Sequence, residues 1–315
     1  MATPANAVSS QNIKGAREDL IDVIYNIDPY DTPFISATPT GKADNIIRSW
    51  QTDELRAPGA NAVIEGEDAT INPGTFTSLL NNYCQISDET LQVTGTTDAI
   101  KKAGRKNELA YQLAKKGKEL RTDMEYILVG SLQAKVARSS SVAGLLGNVY
   151  SYYKTNGSMG AGAGVAPVGD GSNTGTAGTP RALTEAMLLT ASQKIWENGG
   201  KANTIHCNVT QKNLISTTFK GRATAINIDS SSSTVSSTVD VYETDWGMYK
   251  IVPNRNMLAS AVFMFDPTMH SIDYLRAFQQ YPLAKVGDSE RRQLLAEYTL
   301  RVNNEKSGAI IRDLT

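Results

Sequence analysis

The chain has 315 residues, of which 40% are apolar, so it can bury a full core and divide into two lobes. Its formal net charge of −1 gives no support for a dedicated nucleic-acid-binding domain. The longest uninterrupted apolar run, Ala261 to Phe265, is far shorter than the roughly 18–20 residues of a membrane-spanning helix, so no membrane span is predicted.

The N-terminus carries no secretory signal. Residues 1–10 are small and polar, without a positive start or an apolar centre, which predicts that the chain stays in the cytoplasm where it is made. Cys84 and Cys207 fit that compartment. We expect two buried free thiols, although two distant cysteines can also form one bridge.

Residues 1–44 are predicted to form an arm that lies along another part of the protein. Two turns of helix, Arg17 to Tyr25, precede a stretch from Asp28 to Thr40 that contains three prolines. Proline removes a backbone donor and disrupts a helix interior, so this stretch is predicted to lack regular helix.

An extended two-stranded loop is predicted for residues 45–92. Asn45 to Gln51 reads as one strand and Tyr83 to Thr94 as the returning strand, with glycine and proline between them. An isolated hairpin with so little apolar surface is marginal in water. It therefore needs a partner surface.

A long amphipathic helix is predicted for residues 106–137, and Thr97 or Asp98 is its candidate N-cap. At 1.5 Å per residue the helix would be roughly 48 Å long. Its apolar face is formed by residues at spacings of three, four and seven: Leu109, Leu113, Leu120, Met124, Ile127 and Leu132.

The charge changes sign between the loop and the helix. Residues 43–100 contain no lysine and carry nine Asp or Glu against two Arg, a net −7. Residues 101–138 carry ten Lys or Arg against four acids, a net +6. Either the two surfaces are made to meet, for example between copies of the chain, or they are solvated separately.

Residues 154–181 contain eight glycines and are predicted to be a flexible loop at the boundary between two lobes. They lack the lysine of a phosphate-binding GxxxxGK[ST] loop.

Residues 182–282 are predicted to form a mixed α/β lobe, with a helix capped by Thr184 that stops at Gly199 and Gly200. Its strands are expected at 204–209, 238–243, 248–252, 260–265 and 271–275, with a serine-rich loop at 229–237. Residues 297–302 and 309–313 are predicted to form a terminal hairpin.

Enzymatic motifs are missing from the sequence. His206 and His270 belong to no ligand cluster, and neither HExxH nor GxSxG occurs. Glu65 and Glu67 lie beside a third acid and fit an acidic contact surface better than a catalytic pair. We therefore predict no catalytic residue, no metal and no cofactor.

Several strings of the chain resemble, in order, the major capsid proteins of tailed phages with the Hong Kong 97-type shell fold. The resemblance covers nearly the whole chain. The strings are DPYDTPFIS (28–36), WQTDEL (50–55), AVIEGEDAT (62–70), VTGTTDAIKKAGRKNELAYQLAKKGKELRTDMEY (93–126) and LAKVGDSERRQLLAEYTLRVNNEKSGAIIRDL (283–314).

The resemblance implies an α+β fold with an arm, an extended loop, a peripheral lobe on a long spine helix, and an axial lobe. In that fold the extended loop of one subunit lies over the peripheral lobe of its neighbour. The parts map, in that order, onto residues 1–44, 45–92, 93–153 with 283–315, and 182–282, with the glycine-rich loop 154–181 before the axial lobe.

The implied function is a virion capsid protein, assembled in the host cytoplasm, that forms hexamers and pentamers of an icosahedral head. The head encloses double-stranded DNA through non-specific contacts, with separate scaffolding and portal proteins, possible cement proteins and no membrane. A nanocompartment shell of the same fold that encloses protein cargo is the alternative. A two-lobe soluble enzyme, with the glycine-rich loop closing over substrate, is a third interpretation.

One elaboration of the fold joins a lysine of the extended loop to an asparagine of a neighbouring subunit by an isopeptide bond. The loop of this chain has no lysine, which predicts a non-covalent shell.

The candidate inter-subunit contacts lie on the acidic loop and the basic segment. Trp50 and Phe76 are candidate apolar anchors, although a core role is equally open for Trp50. The full set is Arg48, Trp50, Asp53, Glu65, Glu67, Asp68, Lys101, Lys102, Arg105, Lys115 and Lys116.

Overall fold

The structure, a computed structural model, describes residues 30–69, 71, 74, 76–218 and 240–315. The predicted helix from Arg17 to Tyr25 and the predicted serine-rich loop lie outside these ranges. Within them, no helix combines the length and the apolar character needed to cross a bilayer.

The described chain contains both helices and strands, which confirms the mixed α+β class. In chain order the elements are α1 (Pro33–Ala37), β1 (Thr40–Lys42), β2 (Ile47–Thr52), β3 (Ser78–Tyr83), β4 (Gln85–Thr94), α2 (Gly95–Ala99), α3 (Glu108–Glu125), α4 (Glu185–Glu197), β5 (Thr204–Cys207), α5 (Val209–Thr218), β6 (Val241–Thr244), β7 (Gly247–Pro253), β8 (Val262–Phe265), β9 (His270–Pro282), β10 (Ser289–Val302) and β11 (Ala309–Ile311).

The first sheet has the strand order β1-β9-β10-β4 and carries helix α3. Strand β10 pairs antiparallel with β4 from Ser289 opposite Thr94 to Tyr298 opposite Gln85. Leu120 and Met124 of α3 are buried in the same core as Leu300 of β10. The amphipathic face predicted for this helix is therefore the face that covers the sheet.

The second sheet has the order β11-β8-β5-β7-β6. Because side chains alternate across a strand, β8 serves two cores. Phe263 and Phe265 face the core beneath α3, whereas Val262 and Met264 face a second core that includes α4. This strand therefore joins the two halves of the molecule.

Helix α3 is shorter than predicted. It begins at Glu108, whose N–H donates to Asp98 Oδ1 at 3.3 Å, and Asn107 is its N-cap. It ends at Glu125 and continues only as one wide turn, Tyr126–Gly130, so the predicted helix to residue 137 is wrong. A Cβ at Gly130 would come within 2.1 Å of the Asn256 carbonyl oxygen, so the helix end is set by a backbone from elsewhere in the chain.

The arm also contains a helix that was not predicted. Pro33 occupies the first turn of α1, where its missing N–H is not needed and its fixed φ suits a helix. The expectation that proline prevents regular helix from Asp28 to Thr40 is therefore wrong for Pro33–Ala37.

Two strand pairings differ from prediction. β2 pairs with β3, from Ile47 opposite Tyr83 to Thr52 opposite Ser78, and β4 belongs to the first sheet. The excursion between the paired strands is therefore residues 53–77.

The predicted terminal hairpin is wrong, because β10 and β11 lie in different sheets. Sheet membership also crosses the predicted boundary at residue 282, since β9 joins the first sheet and β11 the second.

The glycine-rich segment 154–181 packs against the C-terminal residues. Ser158 N donates to Ile310 O at 2.8 Å, and Arg181 N donates to Asp313 O at 2.8 Å. The Asp313 carboxylate accepts from Gly160 N and Gly178 N, both at 2.8 Å. The segment is therefore attached to the second sheet near each of its ends.

Candidate inter-subunit surfaces

The root of the extended loop is anchored inside the subunit. Trp50 of β2 is 8% exposed and packs against Tyr152 at a centroid distance of 5.8 Å. At the first loop residues, Lys306 Nζ donates to Glu54 Oε2 at 2.6 Å. Trp50 thus takes the core role that the sequence left open.

Beyond its root, the loop exposes large apolar side chains. Isolated exposed apolar residues are ordinary on a soluble protein, but five on one excursion are not. The exposed fractions are Leu55 99%, Val63 81%, Ile64 77%, Ile71 91% and Phe76 98%. Within the described residues these side chains have no core to enter, so the loop needs a surface from outside the subunit.

The acidic residues of the loop lie next to two of these exposed apolar residues, Val63 and Ile64. A turn brings Glu67 N to Ile64 O at 3.1 Å, and Gly66 adopts a φ of 83° that favours glycine. Glu67 Oε2 accepts from Ile64 N at 3.1 Å. Glu65 and Asp68 are exposed and, in the described part of the chain, form no ion pair. Nearer the root, Asp53 Oδ1 accepts from Glu54 N at 2.9 Å.

Two cations of the basic segment, Lys102 and Arg105, are paired with an acid inside the subunit. Arg105 donates to the Glu108 carboxylate, with Lys102 Nζ at 3.7 Å from the same group. Hydrogen bonds from Gln112 and Arg105 lower the pKa of Glu108. These contacts fix the start of α3 and occupy Lys102 and Arg105 within the subunit.

The two helix lysines differ in the same way. Lys116 Nζ lies 2.8 Å from Glu119 and 3.0 Å from Glu89 of β4, and these hydrogen bonds raise its pKa. Lys115 is half exposed with only a 3.8 Å contact to Glu119. Lys101 is exposed and has no ion pair among the described residues. Among the candidate contact residues of the basic segment, Lys101 and Lys115 are therefore the cations with the weakest ion pairing inside the subunit.

Arg48 is also used internally. Its Nε donates to Asp273 Oδ2 at 2.8 Å, and Arg301 Nε lies 3.3 Å from the same oxygen. Asp273 is fully buried, so this ion pair ties β2 to the first sheet. Within the described chain, the structure brings none of the three loop acids Glu65, Glu67 and Asp68 to a cation of the basic segment.

The rest of the described structure shows no metal site and no reactive cysteine. Among the described residues, no three His, Cys, Asp or Glu side chains are grouped as a metal site. Cys84 and Cys207 are buried free thiols, as predicted. Burial raises the pKa of Cys84 to about 11 and that of Cys207 to about 12, which makes both poor nucleophiles.

Sequence reasoning missed most of the loop's apolar surface and the role of Glu125. Leu55, Val63, Ile64 and Ile71 follow neither helix nor strand periodicity in a segment with glycine and proline, and that pattern was the available signal. Glu125 lies in α3 outside the predicted apolar face, yet it is fully buried. Its partners lie far along the chain, so sequence spacing gives no signal for them.

Known proteins that resemble the chain agree with one another. The model of a family described as SU10 major capsid protein matches residues 3–315. A protein named major capsid protein, from Escherichia phage Phieco32, is 28% identical over 350 residues, covering 99% of this chain and 97% of that protein.

Solved structures resemble the chain in fold. The capsid asymmetric unit of cyanophage A-1(L) matches with 12% identity and a TM-score of 0.65, covering 95% of this chain and 97% of that one. A structure from Gordonia phage Cozz matches with 10% identity and a TM-score of 0.61, covering 100% of this chain and 98% of that one. A structure of the major capsid and decoration proteins of phage G matches with 11% identity and a TM-score of 0.55, covering 99% of this chain and 99% of that one. At such low identities these matches show the fold alone.

Proposed function

The chain belongs to the SU10 major capsid protein family, and from this premise we propose that its extended loop joins each copy to a neighbour in the shell. The protein is a tailed-phage major capsid protein with the shell fold expected from its sequence. It is a structural protein of the virion capsid and not an enzyme. The family match does not favour the nanocompartment alternative.

The observation that carries the proposal is the near-complete exposure of the loop's apolar side chains. Fully burying one such side chain contributes about 1.5–3 kcal/mol, before the entropic cost of ordering and association is subtracted. In a shell every subunit both gives and receives this contact. A modest net contribution at each contact is therefore repeated across the lattice.

Electrostatics supports a particular partner surface. Glu65, Glu67 and Asp68 of one copy would face Lys101 and Lys115 of an adjacent copy, with the other basic residues contributing to the local potential. Exposed ion pairs contribute only about 0–1 kcal/mol each. Their effect would therefore be on register and on association rate more than on final stability.

We propose the remaining partners from the family to which the chain belongs. The shell would consist of hexamers and pentamers around double-stranded DNA held by non-specific contacts, with separate scaffolding and portal proteins. The phage G structure contains decoration proteins beside its capsid protein, which supports a cement protein as a further partner here. The arm, loop, peripheral and axial parts drawn from the sequence remain our proposed domains, with β9 added to the peripheral sheet and β11 to the axial one.

Reversing the charge of the loop tests the electrostatic part. Glu65→Lys with Glu67→Lys should slow assembly several-fold at low salt, because the loop would then repel the basic segment, and the difference should shrink as salt is raised. Light scattering during assembly measures the rate. The control is Glu243→Lys with Asp245→Lys, an equal charge change at two exposed residues of β6 and of the turn that follows it. Equal rates for the loop variant and the wild type at every salt concentration would contradict the proposal.

The absence of lysine from residues 43–100 tests the bonding of the shell. We expect mature particles to dissociate into single 34.0 kDa chains on a denaturing gel, because an isopeptide bond through the loop has no amine to start from. A ladder of crosslinked subunits would show that the shell is covalent.

A further inference from the structure

Helix α1 is held at the junction between α3 and the second sheet by one buried carboxylate. Phe34 N donates to Glu125 Oε1 at 2.8 Å and Ile35 N donates to Glu125 Oε2 at 2.9 Å. Asn254, which follows β7, donates its Nδ2 to Glu125 Oε1 at 2.6 Å. The carboxylate thus connects the arm, the spine helix and the second sheet at a single point.

The Phe34 side chain enters a box of aromatic rings on the other two elements. It is fully buried, and its ring lies 5.5 Å from Phe265 and 6.3 Å from Phe263. His206 of β5 and His270 of β9 contact it edge-on at 6.2 and 6.1 Å. The chain has only these two histidines, and both imidazole rings contact the same arm residue, Phe34.

Neither imidazole has a counter-ion in this box. Both ring nitrogens of His206 lack a hydrogen-bond partner among the described residues, and the side chain is 1% exposed. His270 Nδ1 lies 2.9 Å from the Asp266 carbonyl oxygen, which only accepts, so Nδ1 carries the proton. His270 Nε2 then accepts from the Tyr153 hydroxyl at 2.7 Å. Both rings are therefore neutral while α1 is docked.

Burial makes a further proton costly on either ring. It lowers the pKa of His206 to about 3 and that of His270 to about 4. The other titratable groups near the box are Asp266 and Tyr153 beside His270, Glu305 near Tyr153, and Asp31 and Glu125 at the α1 backbone.

The histidines and Glu125 respond to pH in opposite directions. The histidine pKa values are lower in the docked state, so docking is favoured above about pH 6.5 and is weakened as pH falls toward 4. Burial raises the pKa of Glu125, so its protonation in the docked state favours docking as pH falls. Two histidines act in one direction and one carboxyl group in the other.

We propose that His206 and His270 form a proton-operated latch that expels Phe34 on acidification and releases α1 from the junction between α3 and the second sheet. The latch is independent of the proposed loop contact, because none of its residues lies in residues 53–77. Failure of one therefore leaves the other standing. Release of α1 would detach the arm from both halves of the subunit and leave Glu125 only its hydrogen bond from Asn254.

The expected size follows from proton linkage. A histidine freed into water titrates near pH 6.5, so lowering the pH from 7 to 5 increases the released population about 20-fold for each histidine that is freed. Protonation of Glu125 subtracts from this gain.

Amide hydrogen exchange in the full chain tests the latch at the Phe34 and Ile35 N–H groups, which donate to Glu125. After correction for intrinsic exchange rates, their protection should fall several-fold or more between pH 7 and pH 5, because two freed histidines together outweigh the single Glu125. Protection at Thr299 and Leu300 in the buried strand β10 should stay constant, because the core does not open.

The double variant His206→Phe with His270→Gln contains no histidine and should lose the fall in protection. Because Glu125 remains, its protection at pH 5 should equal or exceed that at pH 7. Phenylalanine fits an aromatic box, and glutamine retains a hydrogen-bonding group opposite Tyr153. Should the double variant not fold, His206→Phe alone should reduce the effect by about 20-fold. Constant protection of Phe34 and Ile35 from pH 7 to 5, an unchanged pH dependence in the variant, or parallel loss at Leu300 would each overturn the latch.

Discussion

Replacing Val63 and Ile64 with serine should abolish shell assembly while leaving the subunit folded. Both side chains are more than three-quarters exposed in the single chain, so their loss removes no internal packing. If the loop docks on a neighbour, each subunit loses two buried apolar groups, about 3–6 kcal/mol before compensation. Sedimentation velocity measures assembly, and circular dichroism confirms that the subunit is folded.

An exposed valine outside the loop provides the matched control. Val142 is 47% exposed in the turn after Ser139, and Val142→Ser should leave assembly unchanged. Normal shells from the Val63 and Ile64 double variant would show that the loop's apolar surface is not a contact between subunits. Failure of both variants would show a general sensitivity to surface polarity instead.

Phe34→Ala should lower the free energy of unfolding of the unassembled subunit by about 3–5 kcal/mol, the usual cost of truncating a fully buried phenylalanine. The ring is enclosed by Phe263, Phe265 and the two histidines, so its removal leaves a cavity at the point where α1 joins both sheets. Chemical denaturation measures the change.

Phe278→Ala is the control for this variant. Phe278 is 43% exposed on β9 and contacts Tyr274 at 6.2 Å, so its truncation should cost less than half as much. Equal costs for the two variants would mean that the arm is not docked in the aromatic box in solution.

Periodicity in the sequence predicted the elements that local pattern determines. The apolar spacing of Leu120 and Met124 identified the buried face of α3, and the alternation from Asn45 identified β2. The turn at Gly199, with a φ of 79°, ended α4 where a glycine was expected to end it. The overall shell fold came from the resemblance and is confirmed by the family and by the solved structures.

Tertiary contacts set what the sequence could not predict. The helical pattern continues to Leu132, yet α3 stops because the backbone at Asn256 approaches Gly130. Lys116 was a candidate contact to an adjacent subunit, but it pairs with Glu119 on the same helix and with Glu89, which lies on β4. No local pattern records either approach, because each depends on a strand or turn from another part of the chain.

The candidate site was predicted in composition more than in detail. The switch of charge near Lys101 is real, but Glu108, Glu119 and Glu89 pair with Arg105 and Lys116 within the subunit. The acidic loop keeps its charge exposed and adds an apolar surface that the charge count did not reveal. The proposed contact therefore depends more on burial of Val63 and Ile64 than on ion pairs.

A cryo-electron microscopy reconstruction of the assembled protein tests the loop contact most directly. We expect an icosahedral shell in which residues 53–77 of one copy lie over α3 of an adjacent copy, with Val63 and Ile64 buried and no covalent density between the chains. A shell in which the loop packs on its own subunit, or leaves Val63 and Ile64 exposed to solvent, would contradict it.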